Sequence, residues 1–111
     1  MVKELTQNYI KAFNAKDLAA VGELLAHNFS LEDPVVKRLC GKEGCLSAIE
    51  GIFKGCKNLE FSAKNIFVDR NTAVIEFVLK IDSLHLEGVD IVEFNANYKI
   101  KELRAYLYEK K

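Results

Sequence analysis

The spacing of hydrophobic residues changes once along this chain, from a helical period in the first half to a two-residue period in the second. Between Val2 and about Ala15, the apolar positions Leu5, Tyr9 and Phe13 recur at helical spacing. This pattern predicts a first helix with one buried face.

A second helix is predicted after a very short turn. Asp17 has the side chain of an N-cap, and the chain changes character near His27 and Asn28. The predicted buried stripe of this helix consists of Leu18, Val21, Leu24 and Leu25.

A short strand and a third helix complete the first half. Residues Phe29 to Val35 alternate in polarity, and Pro34 favours extended geometry at Asp33, where the strand should end. Val35 to Gly44 is predicted to be a loop. The third helix should end near Gly55, and its inward residues are predicted to be Cys45, Ile49, Ile52 and Phe53.

The second half predicts antiparallel hairpins. Four alternating segments, Leu59–Val68, Thr72–Ile81, His85–Phe94 and Tyr98–Tyr108, are separated by turn-forming residues. One face of the second segment is wholly apolar, so we expect the helices to cover that side of the sheet. The predicted fold class is α+β: a cone-shaped, curved antiparallel or mixed sheet packed against three helices, with a pocket between the layers.

Composition limits the possible functions. The chain has 111 residues, half of them hydrophobic, which predicts a single domain over 1–111. Sixteen basic and sixteen acidic residues cancel, which argues against binding to nucleic acid or an anionic membrane.

The cysteines and the N-terminus bear on location and metals. Three cysteines without a CxxC pair favour neither a disulfide framework nor a zinc site. We expect no metal and no organic cofactor. The polar N-terminal residues do not look like a signal peptide or a membrane span, so the expected location is cytoplasmic.

Asp90 is the most informative residue for function. It is the only ionisable group on the strand face that Leu86, Gly88, Val92 and Phe94 share. A carboxyl group buried there must find a partner or raise its pKa and stay protonated, and a protonated acid can donate a hydrogen bond.

Tyr9 and Asp33 also interrupt apolar stripes, on the first helix and the short strand. If the three groups line one pocket, Asp33 could remove a proton while Tyr9 and protonated Asp90 donate to an enolate oxygen. The ligand would be an apolar small molecule. Residues expected to contact it are Phe13, Leu25, Phe53, Val92 and Phe94.

Three segments resemble the bacterial ketosteroid isomerases: residues 9–18, the run Leu31-Glu32-Asp33-Pro34-Val35, and residues 89–95. The resemblance implies the cone-shaped fold shared with nuclear transport factor 2 and SnoaL-type polyketide cyclases. It also implies that Tyr9 is an oxyanion-hole tyrosine, Asp33 the general base and Asp90 the protonated acid. A homodimer through the sheet is a further implication.

Other interpretations remain open. Asp33 could cap the following turn, Tyr9 could be a core tyrosine, and Asp90 could pair with Arg104 on the neighbouring strand. The same fold could be a noncatalytic small-molecule-binding domain, a dimeric interaction domain, or a cyclase or dehydratase.

Overall fold

The computed structural model describes all 111 residues as three helices and one six-stranded sheet. The helices are α1 (Val2–Asn14), α2 (Leu18–Leu24) and α3 (Lys42–Lys54). The strands are β1 (Leu25–Asp33), β2 (Lys37–Cys40), β3 (Leu59–Asp69), β4 (Thr72–Ile81), β5 (Leu84–Phe94) and β6 (Ile100–Glu109).

The sheet is mixed, curved and not closed into a barrel. Its strand order is β2-β1-β6-β5-β4-β3, in which β1 runs parallel to β6 and every other neighbouring pair is antiparallel. The predicted hairpins from β3 to β6 are present. The α+β architecture predicted from the sequence is therefore confirmed.

The helices cover only one face of the sheet, which we call the inner face; the opposite, uncovered face is the outer face. At the end of α1, the Asn14 Oδ1 atom accepts a hydrogen bond from the backbone N–H of Phe61 on β3, at 2.8 Å. Lys16 donates from Nζ to the carbonyl oxygen of Cys56, also at 2.8 Å. The first bond joins α1 to the sheet, and the second joins the turn after α1 to the connection between α3 and β3.

Gly88 allows β5 and β6 to approach each other closely. A Cβ atom added at Gly88 would lie 2.1 Å from the carbonyl oxygen of Tyr106 and 2.7 Å from the Cα of Leu107. No side chain fits at that distance, so a glycine is required where these strands meet.

Two boundaries near α2 differ from the prediction. The helix ends at Leu24 and β1 begins at Leu25, whereas the stripe predicted helix up to His27 and Asn28. A short helix and a strand both place apolar residues inward here, so hydrophobicity alone did not separate them. The predicted N-cap is confirmed, since Asp17 accepts a hydrogen bond from the N–H of Ala20.

The predicted loop between Val35 and Gly44 contains a strand, β2, which pairs with β1 as the edge of the sheet. Three of its four residues are exposed, so it lacks the apolar alternation that would have revealed it. The last strand begins at Ile100 rather than Tyr98, because Tyr98 lies in the preceding turn.

None of the three helices is long and apolar enough to cross a membrane.

Candidate functional site

A cavity of about 90 Å³ lies between the helices and the inner face of the sheet. Tyr9 from α1, Asp33 from the end of β1 and Asp90 from the middle of β5 all line it. Apart from these three residues its wall is entirely hydrophobic. Three elements that are distant in sequence therefore bring their polar side chains to one apolar space.

Asp90 is 4% exposed and lies opposite Ile75 of β4 and Ala105 of β6. Burial, and then the negative charge of Asp33, raise the pKa of the Asp90 carboxyl to about 8. No hydrogen bond or cation contributes to this shift. The carboxyl group is therefore mainly protonated at neutral pH and can donate a hydrogen bond into the cavity.

Tyr9 is 5% exposed and lies on the buried stripe of α1. Its ring centroid is 5.9 Å from that of Phe13 and 6.2 Å from that of Phe61, so aromatic neighbours fix the ring. Burial, and then the charge of Asp90, raise the pKa of the Tyr9 hydroxyl well above its usual value. The hydroxyl group stays protonated and is a donor.

Asp33 caps the turn after β1 and also lines the cavity. Its Oδ1 atom accepts hydrogen bonds from the backbone N–H groups of Val35 at 2.8 Å and Val36 at 2.7 Å, which shapes the turn between β1 and β2. Its Oδ2 atom accepts none from the chain. Asp33 thus organises the turn and still supplies a carboxylate oxygen to the cavity wall.

The alternative pairing of Asp90 with Arg104 does not occur. Arg104 pairs with Ile91 in the strand register, so it lies on the outer face, where its guanidinium contacts Glu93 and Glu102. Tyr9 and Asp90 face the same cavity but form no direct hydrogen bond with each other. Both donors remain available to a third group.

The five residues expected to contact a ligand divide into two groups. Phe13 and Leu25 line the cavity, whereas Phe53, Val92 and Phe94 do not. Val92 and Phe94 share the face of Asp90 but are 0% and 2% exposed, because they lie further along β5 within the packed core. Phe53 packs edge-on against Phe13, with ring centroids 5.0 Å apart, and so belongs to the core behind the cavity.

Most of the apolar wall comes from strand residues that were not predicted to contact a ligand. They are Phe29 and Leu31 on β1, Phe77 and Leu79 on β4, and Leu103, Ala105 and Leu107 on β6. The signal was present, since each group alternates with outward residues. What was missing was the register that places these residues beside Asp90 rather than elsewhere on the same face.

Comparisons with known proteins agree with this architecture. The SnoaL-like domain family matches residues 6–103. No curated protein is similar enough in sequence to match the chain.

Solved structures give a close match in fold at low sequence identity. An NTF2-like protein of unknown function from Cytophaga hutchinsonii has a TM-score of 0.86 and 16% identity, and the alignment covers 97% of this chain and 90% of that one. A protein from Kribbella flavida, provisionally assigned as a ketosteroid isomerase, has a TM-score of 0.86 and 17% identity, with coverage of 99% and 79%.

A provisionally assigned SnoaL-like polyketide cyclase from Shewanella denitrificans has a TM-score of 0.83 and 16% identity, covering 96% of this chain and 90% of its own. At these identities the structures establish the fold, which is NTF2-like. Because the family match spans most of the sequence and the fold agrees, this chain belongs to the SnoaL-like domain family.

Proposed function

We propose that this protein is an isomerase that moves a proton within a small unsaturated ketone without a cofactor. Asp33 removes a proton from the carbon between the carbonyl and the carbon–carbon double bond, and the electron pair moves onto the carbonyl oxygen as a dienolate. Tyr9 and protonated Asp90 donate hydrogen bonds to that oxygen. The protonated Asp33 then returns the proton to the far carbon of the former double bond, which gives the conjugated ketone.

The observation that carries this proposal is the different surroundings of two carboxyl groups that line one apolar cavity. Asp33 accepts two backbone hydrogen bonds, whereas Asp90 accepts none and burial raises its pKa to about 8. One acid can therefore accept a proton while the other donates a hydrogen bond at the same pH. This division of roles is what enolisation requires.

The cavity volume limits the substrate. Pockets for drug-sized ligands have volumes of roughly 300–1,000 Å³, well above the 90 Å³ found here. A single small ring matches this space better than a four-ring steroid does. We therefore propose a compact β,γ-unsaturated ketone as the substrate class.

The direct test is the conversion of 3-cyclohexen-1-one to its conjugated isomer, followed by ultraviolet absorbance, with a 3-oxo-Δ5-steroid as the larger comparison. Asp33→Asn should lower kcat by roughly 10²–10⁴-fold, the usual contribution of a general base. The substituted side chain keeps an oxygen for the N–H groups of Val35 and Val36, so the turn should persist.

Asp82→Asn is the matched control. Asp82 also accepts two backbone hydrogen bonds on Oδ1, from Lys57 at 3.0 Å and Asn58 at 2.9 Å, but it lies outside the cavity. This variant should keep the rate of the unmodified protein. Equal rates for Asp33→Asn and the unmodified protein would refute the assigned base. Ketone binding without turnover would identify a noncatalytic binding domain instead.

We also propose that a second copy of the chain covers the outer face. Val74, Val89 and Ile91 form an apolar patch there, with Phe67 59% and Tyr106 50% exposed. No helix packs on this side, and acidic and basic side chains around the patch would allow a two-fold arrangement of like surfaces. The fold relationship favours the same arrangement.

Sedimentation velocity tests this proposal. The unmodified protein should sediment as a dimer, and Tyr106→Glu should shift it towards monomer by burying an unpaired charge. Val35→Glu, at a residue that is 84% exposed in the turn after β1, should leave the dimer intact. A monomer at all protein concentrations would contradict the proposed interface.

Location in the cytoplasm stays a prediction.

A further inference from the structure

The cavity carries acidic groups without any basic counterpart. Asp33 and Asp90 both line it, and no lysine, arginine or histidine does. Asp90 is only 4% exposed, and no hydrogen bond from the chain reaches its carboxyl group. The ionised form of such a buried acid needs a partner from outside the chain, and a positive charge is the partner that stabilises it most strongly.

The rest of the wall is suited to the hydrocarbon part of such a cation. Five aromatic residues line the cavity: Tyr9, Phe13, Phe29, Phe61 and Phe77. Aromatic rings attract cations within about 6 Å of the ring centre, more strongly where water is excluded. A permanently anionic ligand would instead meet the Asp33 carboxyl group and no cationic side chain, so the lining favours a cation over a carboxylate or a phosphate.

We propose that this cavity binds a small alkylammonium cation, with the ammonium group beside Asp90 and Asp33 and the alkyl carbons against the aromatic wall. The volume of about 90 Å³ limits the ligand to a compact body of a few carbon atoms. This site goes beyond the proposed isomerase, because a ketone requires protonated Asp90 and an ammonium ion requires ionised Asp90. The two ligand classes would compete for one cavity.

Binding of the cation should therefore release a proton from Asp90 at neutral pH. A free carboxyl with a pKa of about 8 is mainly protonated at pH 7, and the ammonium charge favours its ionised form. Calorimetry of the whole protein in two buffers with different ionisation enthalpies measures the number of protons released. We expect a value approaching one at pH 7 that falls towards zero at pH 9.

The probes are tert-butylammonium and tert-butanol, which have nearly the same shape but differ in charge. At pH 9 the ammonium ion should bind at least about 10-fold more tightly than the alcohol, corresponding to about 1.4 kcal/mol. At pH 6 this preference should shrink, because Asp90 holds its proton more firmly. Equal affinities at pH 9 would overturn the proposal, and so would undetectable binding of the ammonium ion.

Asp90→Asn should lower the preference for the cation, because only Asp33 remains beside the ammonium group, while Glu87→Gln should keep it, because Glu87 is a buried acid on the outer face. An unchanged preference in Asp90→Asn would also overturn the proposal. Nuclear magnetic resonance spectra of both variants check that the fold is intact. Failure of this proposal and of the isomerase remain distinguishable, since ketone turnover without ammonium binding supports only the enzyme, and the converse supports only the amine site.

Discussion

Strand β5 carries two buried acids three residues apart, and the two faces of the sheet treat them in opposite ways. Asp90, on the inner face, is 4% exposed and has no partner in the chain. Glu87, on the outer face, is 7% exposed and lies 2.9 Å from Lys64 Nζ, 3.1 Å from His85 Nε2 and 3.5 Å from Lys110 Nζ. Burial alone therefore does not decide the charge of an acid.

The environments push the two pKa values in opposite directions. The hydrogen bond from Lys64 is the largest cause that lowers the pKa of Glu87, whereas burial raises that of Asp90. The long side chains of Lys64, on β3, and Lys110, just after β6, reach Glu87 across the uncovered outer face. The inner face is covered by apolar helix stripes, which offer no cation. Glu87 is thus held as a structural carboxylate, and Asp90 remains free for a ligand.

The largest expected effect is on the pH dependence of stability. Asp90 has a pKa near 3.8 when unfolded and about 8 when folded, so between these values the folded state holds a proton that the unfolded state has lost. Stability contributed by this group is complete below about pH 4 and is lost as pH rises towards 8. The loss is about 1.4 kcal/mol per pH unit, or about 4 kcal/mol between pH 4 and pH 7.

Asp90→Asn imitates the protonated acid and should remove this slope. Urea unfolding of both proteins at several pH values measures this slope. The stability of the variant relative to the unmodified protein should increase as pH rises from 4 towards 8. Glu87→Gln gives the opposite sign, because a lowered pKa contributes stability above the unfolded value that is lost as pH falls. Parallel curves for Asp90→Asn and the unmodified protein would show that Asp90 is ionised or partnered when folded.

The second effect concerns Gly88, which lies between the two acids in sequence. Gly88→Ala should lower the free energy of unfolding by about 2–3 kcal/mol, since its Cβ would clash with the backbone of β6 and separate two strands of the cavity wall. Thermal unfolding and ketone turnover should both decline. Gly44→Ala is the control, because a Cβ there meets no atom within 4 Å. Equal losses in both variants would contradict the close-approach argument.

The sequence predicted the residues on the inner face of the sheet better than those on the outer face. Alternation placed Asp90 among apolar residues, and a helical stripe placed Tyr9, because both signals are local. No local pattern indicated that Glu87 is buried, yet its carboxylate is covered by long side chains from residues 64 and 110. Such contacts depend on strand register and on the curl of the sheet, neither of which local alternation specifies.

The third effect is a modest loss of stability in Glu87→Gln. Lys64 and Lys110 are 44% and 51% exposed, so water can solvate them when the carboxylate is removed. The variant should unfold at a slightly lower temperature at pH 7. This difference in unfolding temperature should become smaller in high salt, which screens the ion pairs. It should also become smaller at acidic pH, below the pKa of Glu87 in the folded protein. A gap that is independent of salt would indicate that packing, rather than charge, holds Glu87.

The smallest effect separates the two causes that act on Asp90. Asp33→Asn removes a nearby negative charge, so the pKa of Asp90 should fall below 8, but it should stay well above 3.8 because burial is the larger cause. Carbon-13 resonances of the Asp90 carboxyl, followed from pH 4 to pH 10, measure both values. Asp82→Asn, remote from the cavity, should leave the titration unchanged. If Asp33→Asn returned Asp90 to its ordinary pKa, repulsion between the two acids, rather than the apolar wall, would be what keeps Asp90 protonated. The inner face would then differ from the outer face only in its charges.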